Sequence, residues 1–303
     1  MNNDKYSSLL SSCILCPRRC SIDRISGERG YCGQNACLKL ARAALHFWEE
    51  PCISGKNGSG AVFFSGCNMR CVFCQNYDIA RGRVSKEISI ERLSDIFMEL
   101  EEKGAENINL ITGTHFIPHI VIALENAKSR GLKLPVVWNS GGYEEVFALK
   151  LLDGLIDIYM PDVKYYSGDI SRKYSSCKDY FERAALSLEE MYRQAGKLKY
   201  DGREMMLKGV LIRHLVLPGH TADSKHILRY IYEKYKDDVK LSIMRQYTPL
   251  REDLPDELSR PLDEDEYERV IDFAYKIGIK NAYIQEAGAA KESFIPKFDF
   301  EGV

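Results

Sequence analysis

Long apolar runs are missing from this 303-residue chain. The longest, Ile120 to Leu124, falls far short of the roughly 20 residues a membrane-spanning helix needs. The N-terminus, Met1-Asn2-Asn3-Asp4-Lys5, lacks a basic stretch followed by an apolar one, so no secretory signal is read there. Both absences predict a cytoplasmic protein with no membrane partner. An excess of charge is missing too. There are 42 Lys and Arg against 44 Asp and Glu, and the formal net charge is −2. Nucleic acid is therefore not an expected partner, because a phosphate backbone selects strongly basic surfaces. The short acidic runs (Glu49-Glu50, Glu99 to Glu102, Asp263 to Glu266) read as solvated faces or helix ends. No internal repeat or low-complexity segment is present. No G-x-G-x-x-G follows the first strand, which weighs against a dinucleotide-binding sheet.

Cysteine is abundant instead. Nine of the ten lie between residues 13 and 74, and only Cys177 stands apart, an expected bystander. In a reducing compartment, clustered cysteines point to metal or redox chemistry rather than to disulfides.

Three segments are expected. Residues 1–58 form a small cysteine-rich, loop-rich region, expected to bind metal, that runs into the flexible Gly55-Lys56-Asn57-Gly58-Ser59-Gly60. Residues 59–250 alternate between strands and helices. Strands are predicted at Ala61 to Ser65, Ile108 to Ile111, Val136 to Asn139, Asp157 to Met160, Leu207 to Leu217 and Val239 to Met244, with a weaker seventh at Ala282 to Gln285. Between the strands, Ile90, Leu93, Ile96, Phe97 and Leu100 follow a helical stripe, and Pro118 opens a helix that Gly131 closes. Residues 251–303 supply a C-terminal helix, with Asp263 and Glu266 at its start and Gly278 at its end, and an extension. Repeated βαβ units imply a parallel sheet, and six or seven of them predict an α/β fold: a partial (β/α)6 TIM-type barrel.

The segment that decides the chemistry follows the first strand. Ser65-Gly66-Cys67-Asn68-Met69-Arg70-Cys71-Val72-Phe73-Cys74 places three thiols in C-x-x-x-C-x-x-C spacing on one loop. Such a loop can wrap one soft metal centre. Structural zinc sites and closed four-iron clusters both use four ligands, so a local triplet leaves a position open. A zinc site completed by a distant Cys or His is the alternative.

The other strand ends carry small and polar residues at the same phase, where a barrel gathers its site. They are Thr112-Gly113-Thr114-His115, Asn139-Ser140-Gly141-Gly142, Asp162-Val163-Lys164, Arg213-His214 with Pro218-Gly219, Arg245-Gln246-Tyr247 and Gln285-Glu286.

The triplet resembles the C-x-x-x-C-x-aromatic-C signature of the radical S-adenosylmethionine (SAM) superfamily, with Phe73 in the aromatic slot. That resemblance implies a 4Fe-4S cluster on Cys67, Cys71 and Cys74 with SAM on the open iron. It implies reductive cleavage of SAM to a 5′-deoxyadenosyl radical, hydrogen abstraction from a substrate, and a reduced electron donor such as flavodoxin or ferredoxin. Thr112, Gly113 and Thr114 sit where the family often has Gly-Gly-Glu, so backbone carbonyls and the Thr114 hydroxyl are candidates for the SAM ammonium. Asn139 to Gly142 resembles the family's Thr-Asn-Gly turn. Asp162-Val163-Lys164, and Ile212-Arg213 with Leu217-Pro218-Gly219, resemble elements of the pyruvate formate-lyase activating enzymes. Asp162, Lys164 and Arg213 are thereby candidate SAM or substrate contacts, with Arg213 a partner for the SAM carboxylate. A structural salt bridge between Asp162 and Lys164 is the plainer reading. His115 and Tyr247 are candidate catalytic groups, and each reads equally well as capping or packing.

Cys13-x-x-Cys16-x-x-x-Cys20 followed by Cys32 provides four thiols within twenty residues, enough for a closed metal knuckle. Zinc and an auxiliary iron–sulfur cluster both fit. Cys16-Pro17-Arg18-Arg19-Cys20, His46 to Gly55 and Cys74-Gln75-Asn76 together resemble a branch of uncharacterised proteins similar to the pyruvate formate-lyase activating enzymes. The activating enzymes themselves have His-Asn after the third cysteine and lack the N-terminal region. Three functions stay open on sequence: a radical SAM enzyme acting on a small molecule, protein or peptide; an activator of a glycyl-radical protein; or a non-catalytic metal or iron–sulfur module.

Overall fold

The computed structural model describes residues 6–285 and 295–303. Ten strands are named in chain order: β1 (Lys39–His46), β2 (Ser59–Phe64), β3 (Lys86–Glu87), β4 (Ile108–Ile111), β5 (Val136–Ser140), β6 (Ile158–Pro161), β7 (Lys199–Tyr200), β8 (Met206–Leu215), β9 (Lys240–Met244) and β10 (Ala282–Ile284). They lie in the order β10-β9-β8-β6-β5-β4-β2-β1-β3, with β7 pairing off this path onto β8. From β2 to β10 every neighbouring pair on this path is parallel. The sheet has two ends and does not close, so the expected partial α/β barrel is what forms, with the weak seventh strand in place as β10.

Burial explains the strand sequences. All residues of β2, β4, β5 and β6 are buried, as a parallel sheet covered on both faces requires. The helix Ile90–Glu102 turns Leu93, Ile96, Phe97 and Leu100 onto the sheet, and its start is fixed by the Ser89 Oγ accepting from the Arg92 N–H at 3.0 Å. Pro118 stands in the first turn of Ile117–Ser129. Asp263 and Glu266 form a capping box on Glu264–Ile277, and Gly278 ends that helix in the left-handed region. No helix among the described residues is long and apolar enough to cross a membrane.

Three strands were not expected from the sequence: β1 inside the N-terminal region, and the two-residue β3 and β7. β1 pairs antiparallel with β2, and β3 continues the sheet beyond it. The C-terminal residues then lie along β1: the Phe300 N–H donates to the Ala41 carbonyl at 3.2 Å, and the Ala43 N–H to the Glu301 carbonyl at 2.9 Å.

Candidate functional site

The cysteine loop leaves the end of β2 through Ser65 and Gly66. Gly66 has φ +91°, and a Cβ there would lie 2.7 Å from the Cys32 carbonyl oxygen. Only glycine permits that backbone and that approach. Arg70, between the first and second thiols, also takes a left-handed conformation (φ +58°) and turns the loop back. The Val72 N–H donates to the Tyr174 carbonyl at 2.9 Å and the Cys74 N–H to the Cys71 carbonyl at 3.3 Å. Cys67, Cys71 and Cys74 consequently line one cavity of about 240 Å³.

The donor set suits an iron–sulfur cluster. The Met69 N–H donates to Cys67 Sγ at 3.4 Å, and the Ser175 hydroxyl to Cys71 Sγ at 2.9 Å. Burial pushes the Cys74 thiol up to about 12, and Cys71 and Cys67 push the same way. Cys71 is raised too, chiefly by burial, while Lys164 pulls against it. Buried, mutually repelling thiolates need a cationic partner. Among the described residues no three His, Cys, Asp or Glu side chains converge to hold a single ion. A four-iron cluster asks for something different, because each thiolate binds its own iron.

The strand ends form the cavity floor. Arg213 on β8 donates from Nε to Asp162 Oδ1 at 2.9 Å, from Nη1 to Glu49 Oε2 at 3.0 Å, and from Nη2 to Asn139 Oδ1 at 2.6 Å. Lys164 Nζ reaches Asp162 Oδ2 at 2.5 Å. Burial works to raise the Asp162 carboxyl, yet Arg213 and Lys164 together hold it below its ordinary value. Glu49 is held above its ordinary value by burial, with Arg213 and Asn109 opposing. The Asn139 amide also donates to Glu49 at 3.2 Å. Gly142 makes the Asn139 turn possible: its φ is +73°, and a Cβ there would meet the Asp162 carbonyl at 2.5 Å.

Of the other residues singled out from sequence, Phe73 and Thr112 line the cavity. Phe73 meets Tyr165, Tyr174 and Tyr247 edge-on, with ring centroids 6.1 to 6.5 Å apart. Tyr247 is buried, and its hydroxyl donates to the Leu258 carbonyl. Gly113 packs against Ile120 and Trp138. The Thr114 hydroxyl donates to Glu144 Oε1 at 2.9 Å, and the same carboxylate accepts from Trp138 and Ser140. His115 is buried, with Nε2 2.7 Å from the Ser65 carbonyl. Burial, then Arg24, lowers its pKa to about 3, so the ring is neutral. Thr114, His115 and Tyr247 are not among the cavity-lining residues. Gln285 donates its amide to the Gln246 side-chain oxygen at 3.2 Å, and Glu286 lies outside the described residues.

Sequence reasoning missed the opposite wall. His46, Trp48 and Glu49 line the cavity. Burial, then Arg42 and Arg213, lowers the His46 pKa to about 4. The Glu49-Glu50 pair is not a solvated run: the Glu49 side chain is 9% exposed, and Glu50 Oε2 is buried. The one signal available was the unusual His46-to-Gly55 segment itself. Cys177 lies beside the loop, where its Sγ accepts from Arg18 Nη2 at 2.8 Å.

The N-terminal thiols gather in a second place. Cys16 lies within electrostatic reach of Cys32, Cys13 and Cys20, and Cys32 within reach of Cys13 and Cys20.

The model of the Radical SAM superfamily matches residues 61–231. The uncharacterized protein MJ0674 of Methanocaldococcus jannaschii is 28% identical over 285 residues, covering 91% of this chain and 78% of that protein. Among solved structures, SuiB of Streptococcus suis bound to S-adenosylmethionine is similar with a TM-score of 0.49 at 11% identity, covering 74% of this chain. SuiB bound to its precursor peptide SuiA gives a TM-score of 0.48 at 11% identity, also over 74% of this chain. The chain spans 49% and 47% of the length of those two SuiB chains. The family match covers more than half of the sequence, from the first parallel strand through the fifth, and this chain belongs to the radical SAM superfamily.

Proposed function

We propose that the chain cleaves SAM reductively and uses the resulting radical to take a hydrogen atom from a substrate. Superfamily membership implies a 4Fe-4S cluster and SAM. The observation that carries the reading is the cavity: one loop gives it three thiols, and among the described residues no fourth cysteine lines it. When bound, cluster and SAM supply electron-driven cleavage to methionine and a 5′-deoxyadenosyl radical.

The chain's own residues do the rest. Cys67, Cys71 and Cys74 hold the cluster. Phe73 and the tyrosines behind it back the loop with aromatic surface and keep water from that side. Lys164, Asp162, Arg213 and Asn139 form a fixed polar floor that orients SAM, with Thr112 at the next strand end. Three Arg213 nitrogens already donate to Asp162, Glu49 and Asn139. We therefore assign Arg213 to organising the floor as well as to facing a ligand. His46 enters the cavity neutral, as an acceptor or a donor. The chemistry belongs to residues 59–250, with His46 to Glu49 contributed by the N-terminal region. A reduced one-electron carrier such as flavodoxin or ferredoxin serves as donor. Cys16-Pro17-Arg18-Arg19-Cys20 and Cys74-Gln75-Asn76 support placing the chain in the branch similar to the pyruvate formate-lyase activating enzymes.

The test is anaerobic. Protein with its iron retained is reduced with dithionite in the presence of SAM, and 5′-deoxyadenosine is measured by mass spectrometry. Wild type forms it, and Cys71→Ala does not. Iron-replete wild type that leaves SAM intact overturns the reading.

A further inference from the structure

We propose that Cys13, Cys16, Cys20 and Cys32 ligate a second iron–sulfur cluster, closed by four protein thiolates and packed directly against the loop that carries Cys67, Cys71 and Cys74. The inference stands on the N-terminal region and does not depend on SAM cleavage.

The backbone brings these four residues together. The Cys13 N–H donates to the Ile22 carbonyl at 3.0 Å, and the Ser21 N–H to the Cys13 carbonyl at 2.9 Å, so Cys13 lies beside the segment following Cys20. The Arg19 N–H closes a turn on the Cys16 carbonyl at 2.9 Å. The Gly33 N–H closes another on the Gly30 carbonyl at 2.9 Å, around Tyr31 and Cys32. The Tyr31 N–H donates to Cys20 Sγ at 3.3 Å, which joins the two turns. Backbone N–H groups aimed at sulfur favour the thiolate form and tune a cluster's potential. Cys37 stands apart, against Glu87, and Cys52 packs with Ile53 and Met206 in a separate apolar cluster.

A buried charge points to an anionic occupant. Arg24 is 1% exposed. Its guanidinium donates to the Asn35 and His115 carbonyls, with Nη1 3.8 Å from Cys13 Sγ. Among the described residues no carboxylate pairs with it. A buried guanidinium that faces carbonyls, the Cys13 sulfur and the Phe116 ring, without a carboxylate, is costly. Four thiolates around a metal centre carry net negative charge and supply the missing counter-ion. Both zinc and an iron–sulfur cluster meet that demand, and spacing separates them. A zinc ion draws its sulfurs to about 2.3 Å from one point. Among the described residues no such single-ion convergence exists, either here or at the Cys67 loop. Neither thiol set meets the single-ion condition.

The two sites touch. Gly66, next to Cys67, packs on the Cys32 carbonyl. Arg18, between Cys16 and Cys20, donates from Nε to the Asn68 carbonyl at 2.8 Å, and the Tyr31 hydroxyl donates to the Met69 carbonyl at 3.4 Å. Arg18 also stacks on the Tyr31 ring, 3.8 Å from its centroid.

The full chain, purified anaerobically from cells supplied with both iron and zinc and without reconstitution, is analysed for iron, zinc and sulfide. About eight irons and eight sulfides per chain are expected, with zinc far below one. The Cys67→Ala, Cys71→Ala, Cys74→Ala variant keeps about four irons, and Cys16→Ser, Cys20→Ser loses about four. In dithionite-reduced wild type, the paramagnetic resonance signal is broadened relative to both variants, because two reduced clusters in contact couple. Wild type with about four irons and one zinc overturns the proposal, as does a triplet variant free of iron yet folded by circular dichroism. Eight irons with uncoupled spectra overturn the direct packing. Eight irons without SAM cleavage sink only the catalytic reading.

Discussion

Replacing Arg213 with methionine probes the cavity floor most directly. Methionine keeps much of the side chain's length and removes the charge. The Arg213 side chain is 15% exposed, and its two carboxylate partners, Glu49 and Asp162, are 9% and 16% exposed. Removing one member of a buried ionic set costs about 3–5 kcal/mol, because the partners are left uncompensated. Lys164 still serves Asp162, so Glu49 is the stranded group. In a chain of this size about 2 °C of melting temperature corresponds to each kcal/mol, so a fall of about 6–10 °C is expected. Adding Glu49→Gln to Arg213→Met removes the stranded charge and recovers about 1–2 kcal/mol, whereas Glu49→Gln alone destabilises. Thermal unfolding followed by circular dichroism under argon, at one scan rate and neutral pH, measures all three variants. If Arg213→Met melts within about 2 °C of wild type, or the double variant melts lower than Arg213→Met, the floor is not the charge network described.

Three further outcomes are expected. Tyr247→Phe loses the hydroxyl's bond to the Leu258 carbonyl, costing about 1 kcal/mol, while 5′-deoxyadenosine formation stays within about twofold of wild type; a large loss of formation at unchanged stability would place the hydroxyl in the chemistry. Gly142→Ala forces a Cβ toward the Asp162 carbonyl at a positive φ and destabilises by more than about 2 kcal/mol, read by urea unfolding. Glu266 is held down to about 2 by Arg260, against burial and with help from the Gly219 N–H. Its folded pKa lies below its unfolded one, so its stabilisation is full above about pH 4.5 and is lost as pH falls toward 2. Glu266→Gln flattens the acid limb of the stability profile, and an unchanged limb would remove Glu266 from that role.

Much of the scaffold was readable because its signals are local. Ile108 to Ile111 is predicted and found at the same bounds, since a short apolar β-branched run between turn residues has few other fates. The thiol triplet was readable because its three members sit on one loop. β1 was missed because its burial does not alternate, and Lys39 and Arg42 interrupt it. Its place depends on β2 and on a tail some 250 residues away. Glu49 was missed for the same reason. Two adjacent acids read as surface until Arg213, 164 residues on, arrives to neutralise one of them. Thr114 is turned from the cavity by Glu144, a partner no spacing rule supplies.

The alternation of Glu49, Arg213, Asp162 and Lys164 has an effect on guests. Two acids and two bases cancel, so an incoming ion of either sign alone finds little net pull and must lose its hydration for nothing. A small zwitterion fares better. Its ammonium and its carboxylate each meet a neighbour of opposite sign, and no unbalanced charge is sealed inside. On the proposed reading, the order of charges along two strand ends and one N-terminal segment favours a dipolar head over a simple cation or anion.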